Sequence, residues 1–123
     1  STFGGNPFVC GVSLAVCQTL DQSGLLVNVR SRGQQLRQGL RAIAQKYPTL
    51  CEGVRGWGLI NGLVLKADID TVALDVVKAA LDESLLVIPA GPKVVRMVPP
   101  LIVTEADVDK ALALLDKTLA KMA

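Results

Sequence analysis

The run Val94-Val95-Arg96-Met97-Val98, closed by Pro99-Pro100, constrains this chain more than any other segment. It is short and rich in β-branched residues, and two prolines cannot continue a ladder, so it reads as one strand with a fixed end. Side chains alternate faces along a strand, which sets Val94, Arg96 and Val98 on one side. An arginine on an apolar face must reach an anion or water, because an unpaired buried charge costs several kcal/mol. Its planar fork suits a carboxylate or phosphate held through two parallel hydrogen bonds. Two readings stay open at this point: an anion partner, or an edge strand from which Arg96 snorkels to solvent.

The chain has 123 residues, enough for one domain that buries about two-thirds of its unfolded surface. Half of the residues are hydrophobic but only 3% are aromatic, so the core is built from Val, Leu, Ile and Ala. That much aliphatic material points to extra apolar surface covered by something outside the chain. A net charge of +2 and the lack of an aromatic platform beside the arginines argue against nucleic acid. No apolar stretch approaches the roughly 18 residues of a membrane span. The start Ser1-Thr2-Phe3-Gly4-Gly5 is neither an initiator Met nor a signal peptide, so the chain is expected to be a fragment.

Histidine is absent, which removes Ser-His and Cys-His nucleophile pairs and the usual His-based metal sites, so no metal is expected. Cys10 and Cys17 are seven apart on a predicted helix, too far for a disulfide, and Cys51 stands alone. Three unpaired thiols suit a reducing cytoplasm, with cysteine acting as a small core residue. The lysines lie on helices, at a strand end (Lys66) or in a loop (Lys93), and none is in a desolvated context. Gly4-Gly5, and Gly56 with Gly58, lack the spacing of phosphate-binding loops and are better explained as tight turns.

Along the chain, Asn6-Pro7 starts a helix, Asn as N-cap and Pro at the first helical position. From Phe8 to Leu20 apolar residues run almost all round, so this helix should be buried on most sides. A second helix spans about Gln22 to Lys46, with Leu25, Val29, Leu36, Leu40 and Ile43 as its apolar stripe. Arg30, Arg37 and Arg41 share another face, read as solvated rather than as a phosphate-binding patch. Tyr47-Pro48 ends it. Val54 to Gly58 reads as a turn and Leu59 to Leu65 as a strand interrupted by Gly62. Thr71 to Leu81 is an amphipathic helix with Val72, Val76, Val77 and Ala80 inward. Leu85 to Ile88 is a strand that the tight loop Pro89-Ala90-Gly91-Pro92 joins, antiparallel, to the Arg96 strand. Thr104 then caps a last helix whose first turns carry Glu105, Asp107 and Asp109, with Lys117 and Lys121 at its far end. The fold class is α/β (α+β), in the order β-α-β-β-α from Leu59.

Spacing alone yields no self-contained active site. The segments Ser1-Thr2-Phe3-Gly4-Gly5-Asn6-Pro7, Arg55-Gly56-Trp57-Gly58-Leu59-Ile60-Asn61-Gly62 and Pro89-Ala90-Gly91 leading to Val95-Arg96-Met97-Val98-Pro99-Pro100-Leu101 occur in that order. Together they resemble the C-terminal part of class III pyridoxal-phosphate aminotransferases, over essentially the whole chain. Within the family, the Ala90-Gly91…Arg96 segment leans toward enzymes whose amino donor is N-acetylornithine.

The resemblance implies the small C-terminal domain of a fold-type I enzyme that uses pyridoxal 5′-phosphate and acts as a homodimer on amino and 2-oxo acids. It implies that residues 1–21 close the large cofactor domain, 22–52 link the domains, and 53–123 form the small domain. It assigns Arg96 to the substrate α-carboxylate, and Thr2, with Ser1 beside it, to the cofactor phosphate in the neighbouring subunit. It places the Schiff-base lysine before Ser1, so this chain is expected to be inactive alone. Val64 stands where relatives often carry an acidic residue, so a family salt bridge there is expected to be missing. The order β-α-β-β-α also suits a free-standing module that binds a small carboxylate or self-associates, and a structural domain with Arg96 in a surface salt bridge.

Overall fold

The computed structural model describes residues 1–22 and 24–123. It contains α1 (Pro7–Gln22), α2 (Leu25–Lys46), β1 (Cys51–Trp57), β2 (Ile60–Leu65), α3 (Ala73–Asp82), β3 (Ile88–Pro89), β4 (Val94–Met97) and α4 (Glu105–Ala120). The strands form one antiparallel sheet in the order β1-β2-β4-β3. Helices α2 and α3 pack on one face, and α4 packs against both of them. Their Leu36, Leu40, Ile43, Val76, Ala80, Val108, Leu115 and Leu119 make a single core with Leu63, Leu65, Val95 and Met97 of the sheet.

The β-α-β-β-α order expected from Leu59 is present, and one further strand precedes it. The segment expected to be a turn, Val54 to Gly58, lies mostly within β1, which pairs with β2 from Cys51↔Leu65 to Trp57↔Ile60. The glycines that suggested a turn serve other ends. Gly56 has φ +142, and a β-carbon there would lie 2.2 Å from the carbonyl oxygen of Ile60. The tip at Gly58-Leu59 turns. The strand expected over Leu85 to Ile88 is shorter, since only Ile88 and Pro89 pair with β4. Leu85 and Val87 enter the core as irregular backbone.

The second helix starts at Leu25 rather than Gln22. Gln22 ends α1, Ser23 lies outside the described residues, and Gly24 takes the left-handed conformation at φ 70. A β-carbon makes that conformation cost about 1–2 kcal/mol, so glycine is the residue that separates two helices here. Asn6 caps α1 as expected, its Oδ1 accepting from the Val9 N–H at 3.0 Å. Helix α1 is not buried within this chain: Phe8 is 79% exposed, and Val12, Leu14 and Val16 are also exposed. An all-round apolar sequence records a demand for burial, and among the described residues α1 packs against α2. Cys10 and Cys17 are accordingly exposed, not core residues, while Cys51 is buried in β1.

Candidate functional site

Strand β4 is held at both ends. At its entry the Lys93 ammonium donates to the carbonyls of Ile69 at 2.5 Å and Thr71 at 3.0 Å. Backbone bonds from Ala73 N–H to the Pro92 carbonyl and from Leu65 N–H to the Lys93 carbonyl, both 2.7 Å, fix the same corner. At its exit Pro99-Pro100 ends the ladder, and the Asn28 amide donates to the carbonyls of Leu101 at 2.9 Å and Val103 at 3.0 Å. Between these anchors Val95 and Met97 enter the core, while Arg96 points to the other face. The edge-strand reading of Arg96 does not hold, because β4 lies between β2 and β3.

The register aligns Arg55, Gly62, Arg96 and Ile88 in one row across all four strands. Directly paired residues project to the same face, so Arg55 and Arg96 flank Gly62 on the face that the helices leave uncovered. A β-carbon on Gly62 would meet Val94 Cγ1 at 2.6 Å, with Arg55 Cγ 3.9 Å away. The missing side chain therefore lets the Val94 methyl pack directly over Gly62, with the Arg55 stem beside it. The resulting groove has a volume of about 290 Å³ and is lined by Arg55, Gly56, Ile60, Asn61, Gly62, Ala90, Val94 and Arg96. Its lining holds two cations and no carboxylate.

Four other cations form ion pairs among the described residues. Arg32 meets Glu105 at 2.8 Å, Lys46 meets Asp116 at 2.7 Å, and Lys117 and Lys121 both meet Glu83. Arg55 and Arg96 make no ion pair or side-chain hydrogen bond among the described residues. Among the described residues Arg96 therefore forms no surface salt bridge. Asn61, 1% exposed, donates from Nδ2 to the Gly58 carbonyl at 2.8 Å and closes the hairpin. Its Oδ1 is buried at the groove without a partner among the described residues.

Ser1 and Thr2 do not join this groove; they precede α1 in an exposed turn. Ser1 Oγ accepts from the Phe3 N–H at 3.2 Å and the Gly4 N–H at 3.0 Å. Two amides that a phosphate could use are thus engaged inside the turn. The Ser1 O–H proton and the Thr2 hydroxyl remain as donors, and that donor set fits an anion such as a phosphate.

The other reactive groups are quiet. Burial pushes the Cys51 thiol up to about 11, so it is protonated near neutral pH and a poor nucleophile. No lysine is buried. On α2, Arg30 and Arg41 are exposed, and Arg37 is half-buried, donating to the Gly58 carbonyl at 3.4 Å. Among the described residues no group of three or more His, Cys, Asp or Glu side chains could hold a metal ion, and no helix is long and apolar enough to cross a membrane.

Sequence reading found Arg96 but gave no site role to Arg55, Asn61 or Gly62. The signal for Arg55 was present: once Val54-Arg55-Gly56 is a strand, alternation sets Val54 toward the core and Arg55 outward.

Residues 1–119 match the aminotransferase class-III family. The acetylornithine aminotransferase of Nostoc sp. (strain PCC 7120) is 69% identical over 120 residues, which are 98% of this chain and 28% of that protein. The crystal structure of acetylornithine aminotransferase from Elizabethkingia anophelis superposes with a TM-score of 0.88 at 29% identity, covering 98% of this chain and 30% of that one. The N-acetylornithine aminotransferase from Stenotrophomonas maltophilia K279a gives 0.83 at 34% identity, over 97% of this chain and 32% of that one. The chain therefore spans less than a third of the length of these relatives.

Proposed function

Because the chain belongs to the class-III aminotransferase family, we propose that it is the C-terminal part of an N-acetylornithine aminotransferase. The complete protein would transfer the terminal amino group of N-acetylornithine to 2-oxoglutarate, in arginine biosynthesis, as a cytoplasmic homodimer. The observation that carries this is Arg96: an arginine on a central strand with no ion pair among the described residues, in a chain 69% identical to an acetylornithine aminotransferase.

Arg96 receives the α-carboxylate of each substrate in turn through its planar fork, and anchoring at Lys93 and Asn28 fixes where that carboxylate lies. Ser1 and Thr2 offer hydroxyl donors to the phosphate of pyridoxal 5′-phosphate in the neighbouring subunit. When bound, that cofactor supplies the electron sink of the amino transfer. Residues 1–21 belong to the large domain, 22–52 to the linker and 53–123 to the small domain. We infer that the 123 residues, which span less than a third of these relatives' length, are inactive alone.

The test is the complete protein with N-acetylornithine and 2-oxoglutarate. Turnover that falls sharply in Arg96→Ala, with both substrates binding more weakly, supports the reading. A preference for ornithine, succinylornithine or 4-aminobutyrate would move it to another class III enzyme. Turnover by residues 1–123 alone would refute the inactivity.

A further inference from the structure

Three side chains, each a turn apart on α2, reach the stretch that leads from β4 into α4. The Asn28 amide nitrogen donates to the carbonyls of Leu101 at 2.9 Å and Val103 at 3.0 Å. Arg32 donates to Glu105 at 2.8 Å and to Gln35 Oε1 at 2.6 Å. Gln35 Nε2 donates to the Glu105 carbonyl at 3.1 Å and to Asp109 Oδ1 at 2.7 Å. Residues three and four apart share one helix face, so these bonds form a continuous polar seam. In sequence, the acceptors of Asn28 are the part of the seam nearest Arg96.

Where α2 is gripped gives that end its importance. The buried residues of the helix are Gly33, Leu36, Leu40 and Ile43, all in its later part. In its first two turns Leu26 and Val27 are exposed and Val29 is partly buried, so Asn28 supplies the first polar tie to the rest of the chain. The acceptors of Asn28 connect stiffly to Arg96. Pro99 and Pro100 each fix φ at about −65° and restrict the residue before them, so the link from Val98 to Pro100 transmits position rather than absorbing it. Beyond it the Val103 N–H closes a turn on the Pro100 carbonyl at 3.0 Å.

We propose that Asn28 is a positioning residue that acts through Arg96. It fixes the angle at which α2 leaves the sheet, and hence where Arg96 stands relative to the part of the complete protein that precedes α2. This rests on the functional reading above and extends it from the anchoring of β4 to the setting of Arg96 against the linker helix. A misplacement of about 1 Å can slow a reaction about 100-fold, so releasing Asn28 should lower kcat/KM for a carboxylated donor by about tenfold or more. A donor without that carboxylate does not use Arg96 and should be nearly indifferent to Asn28.

The experiment measures kcat/KM of the complete protein for N-acetylornithine and for N-acetyl-1,4-diaminobutane, the same donor without its α-carboxylate. Expected in Asn28→Ala is a loss of about tenfold or more for N-acetylornithine, with the decarboxylated donor little changed. Asn28→Asp sets a carboxylate against two carbonyls and should be at least as damaging, which separates the donated hydrogen bonds from side-chain shape. Adding Asn28→Ala to Arg96→Lys should lower N-acetylornithine turnover no further, because both changes act on one contact. This double variant decides the case if the decarboxylated donor reacts too slowly to measure. Hydrogen exchange gives a readout independent of turnover: the Val103 amide should exchange faster in Asn28→Ala. Equal losses for the two donors, losses that multiply in the double variant, or unchanged Val103 exchange overturns the proposal. If Asn28→Ala does not fold, Asn28→Ser, which keeps one donor, is read by the same donor ratio. A complete, unaltered protein that transfers no amino group removes the functional reading and the proposal together. An active protein whose donor ratio ignores Asn28 removes the proposal alone.

Discussion

Gly53 and Gly56 stand three residues apart on β1 and make opposite demands. At Gly53 an added β-carbon meets nothing within 4 Å, and its φ lies outside the left-handed region. At Gly56 φ is +142, and the same carbon would lie 2.2 Å from the Ile60 carbonyl oxygen and 2.7 Å from Asn61 Cα. Gly53→Ala should leave stability within about 0.5 kcal/mol or raise it slightly, because alanine narrows the unfolded ensemble. Gly56→Ala should cost more than about 1 kcal/mol, since backbone atoms cannot move aside cheaply. Urea unfolding of the two variants checks the contrast, and equal midpoints would mean the hairpin tolerates a different backbone at Gly56. Residue by residue, Arg96 was legible because a lone charge inside a β-branched run has few explanations. Arg55 was hidden by its neighbours: Gly53, Gly56 and Gly58 make the segment look like a turn, and sequence does not reveal which glycines bend a chain and which let it pass close to another strand.

At the scale of elements, α4 was readable because its start is a local device. Thr104 Oγ1 accepts from the Asp107 N–H at 3.2 Å, and Asp107 Oδ2 accepts from the Thr104 N–H at 3.1 Å. Thr104→Ala should lower stability by about 1 kcal/mol, seen as a melting temperature lower by several degrees. The far end of α4 was only half legible. Lys117 and Lys121 suit a helix C-terminus, but what they do is clamp Glu83, just past α3, whose side chain is 7% exposed. This contact joins residues more than thirty positions apart, beyond what periodicity can report. Lys117 and then Lys121, by hydrogen bonding, hold the Glu83 carboxyl below its ordinary 4.5. A carboxyl lowered on folding contributes stability that is present above pH 4.5 and is lost as pH falls through the lower folded value. The stability difference between the unaltered chain and Glu83→Gln should therefore be largest near neutrality and shrink as pH drops below 4.5. A difference that stays constant from pH 7 to about pH 3 would show that the carboxylate charge is not what joins α3 to α4. The boundary between α1 and α2 was placed at Leu20 to Gln22, slightly early, because the polar residues after Leu20 suggest a stop while the left-handed Gly24 lies just before Leu25, where α2 begins.

For the whole molecule, the same residue class divides into two populations that sequence alone could not separate. Leu36, Leu40, Leu63, Leu115 and Leu119 are at most 1% exposed and form the core under the sheet. Phe8, Val12, Leu14 and Val16 are at least 50% exposed on α1. Beside them the junction of α1 and α2 opens an apolar cleft of about 420 Å³, lined by Val12, Ala15, Val16, Thr19, Leu20 and Leu25. Reading α1 as a helix in need of burial identified the demand, while its partner could not be inferred from a helical pattern. The two populations should respond differently to substitution in the 123-residue polypeptide. Leu115→Ala empties a fully enclosed position and should cost about 2–5 kcal/mol, lowering the unfolding midpoint without altering association. Phe8→Ser with Val12→Ser removes solvent-facing apolar surface and should leave the midpoint nearly unchanged while reducing self-association and hydrophobic-dye binding. Sedimentation velocity over a concentration series, run beside urea unfolding, reads both quantities. If the Phe8→Ser, Val12→Ser polypeptide associated as strongly as the unaltered one, the adhesive surface would lie elsewhere, and the uncovered sheet face around Ile60 and Val98 would be the next to test.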